Sequence, residues 1–207
     1  MKTTSILLSI ISGLANPFAY GQDTVPNRTS HSPKQHFIGS SGMMIGNFFP
    51  NPPSFYQLNY GYWLTEKDVV SMEAITWKYR HPLGIPYGPA FDSPSEAYPG
   101  CVREYGLGAA YQRYFWKGLY SAVHVIPFLQ KYMDQNHRKI QHGFQLFLTL
   151  RAGYHIGLFR NRFFIEPSIA FTHWPIKTNV PAPFAALDSK WPNYFLLEPG
   201  LHFGFKF

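Results

Sequence analysis

Six ionisable side chains stand in otherwise apolar or glycine-spaced stretches: Glu104, Arg151, Glu166, Glu198, His202 and Lys206. Lys78 and His124 are further candidates for the same set. Carboxylates, an arginine, a lysine and a histidine brought together do one of two things. They neutralise one another in a buried, hydrogen-bonded network, or they relay a proton or ion. Charges in a narrow interior are costly unless paired, so the network is the reading favoured here. Other chemistries have less to stand on. A serine nucleophile needs a base within hydrogen-bond reach, and no Ser and His pair lies close enough in sequence to imply one. Nine histidines invite a metal, yet none is spaced with a cysteine or a second histidine as ligands of one site, His137 and His142 coming nearest. No Gly-rich phosphate loop occurs. The expectation is no catalytic residue, no metal and no cofactor.

Those side chains recur at every second position, which is the period of a strand. In residues 194–207, Phe195, Leu197, Pro199, Leu201, Phe203, Phe205 and Phe207 form one greasy face, while Glu198, Gly200, His202, Gly204 and Lys206 form the other. In 139–154, Ile140, Phe144, Leu146, Leu148, Leu150 and Tyr154 oppose Gln141, Gly143, Gln145, Thr149, Arg151 and Gly153. Tyr56, Leu58, Tyr60, Tyr62 and Leu64 oppose Gln57, Asn59 and Gly61, and Tyr105, Leu107, Ala109 and Tyr111 oppose Glu104, Gly106, Gly108 and Gln112. Eight strands are expected, at 37–46, 55–64, 69–80, 103–115, 119–131, 139–154, 162–173 and 194–207. The third fits least well: if Ile75, Trp77 and Tyr79 face outward, Lys78 faces inward and Glu73 is left outside, so a bulge or an early periplasmic end near Met72 is expected. Glycines at 106, 108, 143, 153, 200 and 204 leave room for the long polar side chains.

The links alternate. Those at 65–68, 116–118 and 155–161 are short, whereas those at 47–54, 81–102, 132–138 and 174–193 are longer. The longest, 81–102, carries five prolines and the one cysteine of the sequence, Cys101. Aromatic residues make up 18% of the chain and charged residues 14%, well under the roughly 25% charged of an average globular domain. No stretch has the roughly 18 apolar residues of a membrane helix. Residues 1–21 read as an export signal, with Lys2 ahead of an apolar run from Ile6 to Leu14 and a small-x-small site at Ala19-Tyr20-Gly21. Residues 22–35 read as a polar, flexible tail, and 36–207 as the β domain. The net charge of +7 comes without a long basic run and is no nucleic-acid signal.

Alternate apolar positions ending in an aromatic, Phe203, Phe205 and Phe207, resemble the insertion signal of bacterial outer-membrane barrels. With eight strands and alternating links, the chain resembles the small OmpA/OmpX-like outer-membrane proteins over 37–207, as a likeness of class. The resemblance implies an all-β, eight-stranded, antiparallel up-and-down transmembrane barrel with short periplasmic turns and longer outer loops. It implies a place in the outer membrane as a monomer with a filled polar interior and a structural or surface-interaction role. It also implies lipid and lipopolysaccharide as neighbours and the barrel-assembly machinery as a transient partner. Trp116, Trp174 and Trp191 are then expected in the aromatic girdles. Arg80, His81, His137, Arg138, Lys139, Lys177 and Lys190 are expected near lipid phosphates at the outer rim. Two enzyme types exist among small barrels of this kind, a lipid A palmitoyltransferase and a lipid A deacylase. The deacylase motif His-x-Ser-Asn is not matched, because His173-Trp174-Pro175-Ile176 has the His and lacks the Ser. The sequence departs from the class at Pro167 and Pro199. Each is expected to mark a bulge or strand end, and the pairs Glu166-Pro167 and Glu198-Pro199 to aim both carboxylates inward. A secreted soluble barrel with a ligand pocket is the alternative in which the same faces are turned inside out.

Overall fold

The computed structural model describes residues 36–49, 52–80, 99–189 and 191–207; the expected leader, the tail and loop residues 81–98 lie outside them. In chain order the elements are β1 (His36–Ser41), a 3-10 turn (Gly42–Phe48), β2 (Tyr56–Trp63), β3 (Asp68–Arg80), β4 (Gly100–Trp116) and β5 (Leu119–Asp134). There follow β6 (Lys139–Tyr154), β7 (Ile156–Leu158), β8 (Phe163–Thr178), a short helix α1 (Ala182–Asp188) and β9 (Tyr194–Lys206). All nine strands form one antiparallel sheet in the order β6-β5-β4-β3-β2-β1-β9-β8-β7, and a further pairing of β6 with β8 links eight of them into a ring. The short β7 prolongs β6. Pairing with β8 shifts register between Leu146 and Leu148, runs on to Gly153↔Ser168, lapses across Glu166 and Pro167 and resumes at Ile156↔Ile165. A proline has no N–H for the ladder, so a lapse there is expected.

Alternation fixes what lies inside. Along β4, Glu104 is buried while Tyr105, Leu107 and Tyr111 are exposed, and along β6, Gln145, Thr149 and Arg151 are buried while Phe144 and Leu150 are exposed. The polar set faces the inside of the ring and the greasy set faces outward. Among the described residues no helix is long and apolar enough to cross a membrane, which says nothing about crossing by strands.

Four expectations are corrected. The first strand has six residues and ends at Ser41 instead of position 46, because Ser41 caps the Gly42–Phe48 turn by accepting from the Met43 N–H. The link expected at 132–138 is a four-residue turn, since β5 runs on to Asp134 and β6 pairs with it up to Met133↔Lys139. The third strand has no bulge: β3 pairs without a shift from Asp68↔Arg113 to Arg80↔Cys101. Its frame is the reverse of that expected, with Glu73 3% exposed inside the ring and Lys78 on the outer face. The cause is the polar handle of two aromatics. Trp77 and Tyr79 turn inward to donate to Glu104. Finally, Pro167 and Pro199 do not break β8 against β9, where pairing is continuous from Phe163↔Phe205 to Ala170↔Glu198. The irregularity falls at Leu196 and Leu197, where Leu197 has φ 56° and the register shifts. Phe195 is thereby turned inward, against its expected outward place, and packs on Trp174.

Candidate interior network

The interior is filled in three tiers. Nearest the short turns, the Glu166 carboxylate accepts from Gln112 Nε2 at 3.1 Å and Tyr114 Oη at 2.9 Å, and meets His155 Nδ1 at 2.7 Å. The other imidazole nitrogen, Nε2, lies 2.9 Å from Lys206 Nζ. A neutral imidazole that donates from Nδ1 accepts at Nε2, and an ammonium is the donor it meets there. Lys206 also donates to Asn161 Oδ1 and sits 4.8 Å from the Trp63 ring centroid, a distance at which the ring's quadrupole attracts a cation. A cavity with about 10 Å³ for water centres lies between Phe37, Trp63, Tyr114, His155 and Glu166, the space of a single water.

In the middle tier, His124 Nδ1 lies 3.1 Å from both oxygens of Glu73. Arg151 Nη1 donates to Ser168 Oγ at 2.8 Å and Nη2 stands 3.9 Å from Glu198, which accepts from Thr172 Oγ1 at 2.8 Å. Gly200 is what lets the guanidinium in, because a Cβ there would collide with it. His202 is half-buried on β9, cross-strand from Glu166.

The third tier is apolar around one carboxylate. Glu104 is fully buried and accepts from Trp77 Nε1 at 2.6 Å, Gln130 Nε2 at 2.7 Å and Tyr79 Oη at 3.0 Å. Gln130 also donates to Gln145 and accepts from Tyr132 Oη. Val102, Ile126, Phe128, Phe147 and Trp174 surround it. Above them α1 folds inward: Phe184 is fully buried, its ring 5.0 Å from that of Tyr132, and Lys177 holds Asp188 at the helix's far end. The last long loop therefore closes this end of the ring.

All six residues singled out at the start lie on the inner face, distributed over these tiers rather than gathered in one place. Glu104 shares no hydrogen bond with the other five. The tryptophans need a correction. Trp174, expected in a girdle, is 2% exposed in the interior core, because it continues the inward set of β8 from Ala170 and Thr172 and packs on Phe147 and Phe195. Trp191 is half-buried, and only Trp116, 64% exposed beside Lys117, stands out from the ring. Phe205 and Phe207 are exposed and Phe203 is half-buried. Lys177 pairs with Asp188, while His137, Arg138 and Lys139 are exposed at the β5–β6 turn. Lys190, the Arg80 side chain and His81 are outside the described residues.

Glu73, Tyr114, His155, Gln130 and Gln145 complete the network without having been named for it. Gln145 and Gln112 were on the polar faces by parity; Glu73 was hidden by the misread frame of its strand, and His155 by its placement in a link. For hydrolytic chemistry the geometry is poor. The described hydrogen bonds of His36, His137, His142 and His173 go to Tyr60, Cys101 and the backbones of Gln130 and Asn193, none of them a serine or aspartate. No group of three metal-ligating side chains is found among the described residues. Compared with family models, curated proteins and solved structures, the chain matches none. The function must therefore be argued from geometry.

Proposed function

We propose that the chain is an outer-membrane β-barrel protein whose polar, filled interior serves structure, and whose role is structural or one of surface interaction. The observation that carries the reading is the outer face. Row after row of it is apolar across paired strands: Val70, Tyr111, Val123 and Leu150 in one row, Met72, Ala109, Val125 and Leu148 in another, and Tyr105, Leu129 and Phe144, beside Thr76, in a third. Ile38, Leu58, Tyr60, Ile169, Leu201 and Phe205 continue it on the other strands, all at least 43% exposed. A belt of that extent in water would be a large exposed patch; against lipid tails it is an ordinary surface. From Tyr105 to Tyr111 the apolar rows rise about 20 Å along the strand, before the Asp68–Arg113 pair marks the turn end. The inside-out distribution also disfavours a soluble ligand-binding barrel, which keeps its greasy face within.

Cell fractionation with gel mobility before and after boiling tests the proposal. The expected result is recovery with the outer membrane and a fast-migrating band that shifts only on heating. Release with the soluble periplasm and indifference to heating would overturn it.

A further inference from the structure

Above the apolar belt, on the end away from the short turns, one row of the outer face changes character. Lys78 on β3 pairs with Arg103 on β4, Arg103 with Lys131 on β5, and Lys131 with His142 on β6. Directly paired residues of neighbouring strands have Cβ atoms about 4.5–5.5 Å apart, and like charges there are destabilising. Three formal cations and a histidine thus lie side by side across four strands. Among the described residues, none of Lys78, Arg103 or Lys131 has a carboxylate partner: the ion pairs of the ring involve other side chains. Among the described residues Arg103 reaches the Ser54 carbonyl and the Tyr105 ring, and His142 the Gln130 carbonyl. Among those residues the row is a run of like charge without a neutralising partner.

Immediately below it lies the apolar row of Tyr105, Leu129 and Phe144, then Leu107 and Leu146. We infer that Lys78, Arg103, Lys131 and His142 form a binding site for the phosphates of an anionic glycolipid of the outer leaflet, whose acyl chains run down over Tyr105, Leu129 and Phe144. The charge order matches the molecule: phosphates at headgroup level, tails beneath. Arginine offers a planar fork to a phosphate and lysines add point charges. A bound phosphate would also relieve the repulsion along the row. The inference rests on the outer-membrane reading, which supplies the bilayer.

The test uses the full chain folded into phosphatidylcholine nanodiscs, with bisphosphorylated lipid A, dephosphorylated lipid A and inorganic phosphate as separate probes. The wild type is expected to bind the bisphosphorylated lipid at least about tenfold more tightly than the dephosphorylated one, the equivalent of one charge-assisted contact, and inorganic phosphate negligibly. The K78Q/R103Q/K131Q variant is expected to lose that preference, and a K67Q/R160Q/R162Q variant at the opposite end to keep it. Equal binding of the two lipids by the wild type, or an unchanged preference in the first variant, would overturn the site while leaving the barrel reading intact. Tight binding of free phosphate would overturn the lipid as its ligand. Failure of the chain to insert into the nanodisc bilayer would overturn both.

Discussion

Glu166 and Glu104 are both buried carboxylates inside one ring, and they are held in opposite ways. Glu166 stands near the short turns and is answered by ionisable groups, with His155 against it and Lys206 behind. Glu104 stands under α1 and is answered only by neutral donors, an indole, a phenol and an amide. A carboxylate and an ammonium bridged by an imidazole desolvate two charges and need good geometry to recover the cost. A single carboxylate with three neutral hydrogen bonds desolvates one. The apolar end of the interior adopts the second arrangement, and the end lined with ionisable and hydroxyl groups adopts the first. Removing a partner should therefore have different consequences at the two ends.

The largest expected effect is at Glu104. Glu104→Ala takes the acceptor from Trp77 Nε1, Tyr79 Oη and one of the Gln130 N–H groups and opens a cavity, for a loss of about 3–5 kcal/mol. Glu104→Gln keeps one oxygen for Tyr79 and Gln130 but turns an amide N–H₂ toward the Trp77 indole N–H, so about 1–3 kcal/mol is expected. Glu166→Ala should cost less than Glu104→Ala, because His155 and Lys206 remain bonded to each other and the nearby cavity can take a water. Urea unfolding of the three variants in one detergent measures the order. If Glu166→Ala proves the most damaging, the contrast between neutral and ionic partners does not govern the interior.

A smaller effect sharpens the same contrast through the lid. Truncating Phe184 removes a fully buried ring from its contact with Tyr132. Core Phe→Ala changes cost about 3–5 kcal/mol, but here a short helix in a loop absorbs the loss by detaching. Phe184→Ala is expected to raise amide exchange across 182–189 by at least about tenfold, an opening of about 1.4 kcal/mol, while β5 and β6 near the short turns stay protected. Uniform deprotection of the strands would mean that the loop is part of the ring's stability and not a lid on it.

What could be read in advance follows from period two. Where strands alternate cleanly, as β2, β4 and β6 do, each inner and outer side chain was legible, Glu104 and Arg151 among them. Parity carries no information once a backbone irregularity intervenes. The left-handed Leu197 sends Phe195 to the face opposite its assigned one, and nothing in Phe-Leu-Leu-Glu announces the shift. Aromatic residues were the other source of error. Trp77 and Tyr79 were read as apolar and therefore outward, whereas a buried indole or phenol is equally content inside when an acceptor such as Glu104 is there; Trp174 was placed in a girdle by its position beside the last long loop. The cationic row of Lys78, Arg103 and Lys131 was invisible for a different reason. Its members are far apart in sequence and only cross-strand register puts them side by side.

The smallest effect belongs to a carboxylate at the edge of the ring, where the contrast should fade. Asp68 closes the turn between β2 and β3, accepting from Thr65 Oγ1 at 2.6 Å, Tyr111 Oη at 2.5 Å and Arg113 at 2.8 Å. The hydrogen bonds from Thr65 and then Tyr111 hold its carboxyl below the ordinary aspartate range, partial burial opposing and Arg113 adding to the effect. A depressed pKa means that the charged form favours the folded state. The contribution is therefore present above the unfolded value of about 4 and is lost as pH falls through the lower folded value. Comparing wild type with Asp68→Asn from pH 6 to pH 2 should give a modest gap in unfolding midpoint that closes at the acid end, smaller at every pH than that caused by Glu104→Gln. Added salt should narrow the gap too, since Arg113 is solvent-exposed and its attraction is screened. A gap that is indifferent to pH would show that Asp68 acts through turn geometry alone, and that carboxylates of this ring matter energetically only where they are buried.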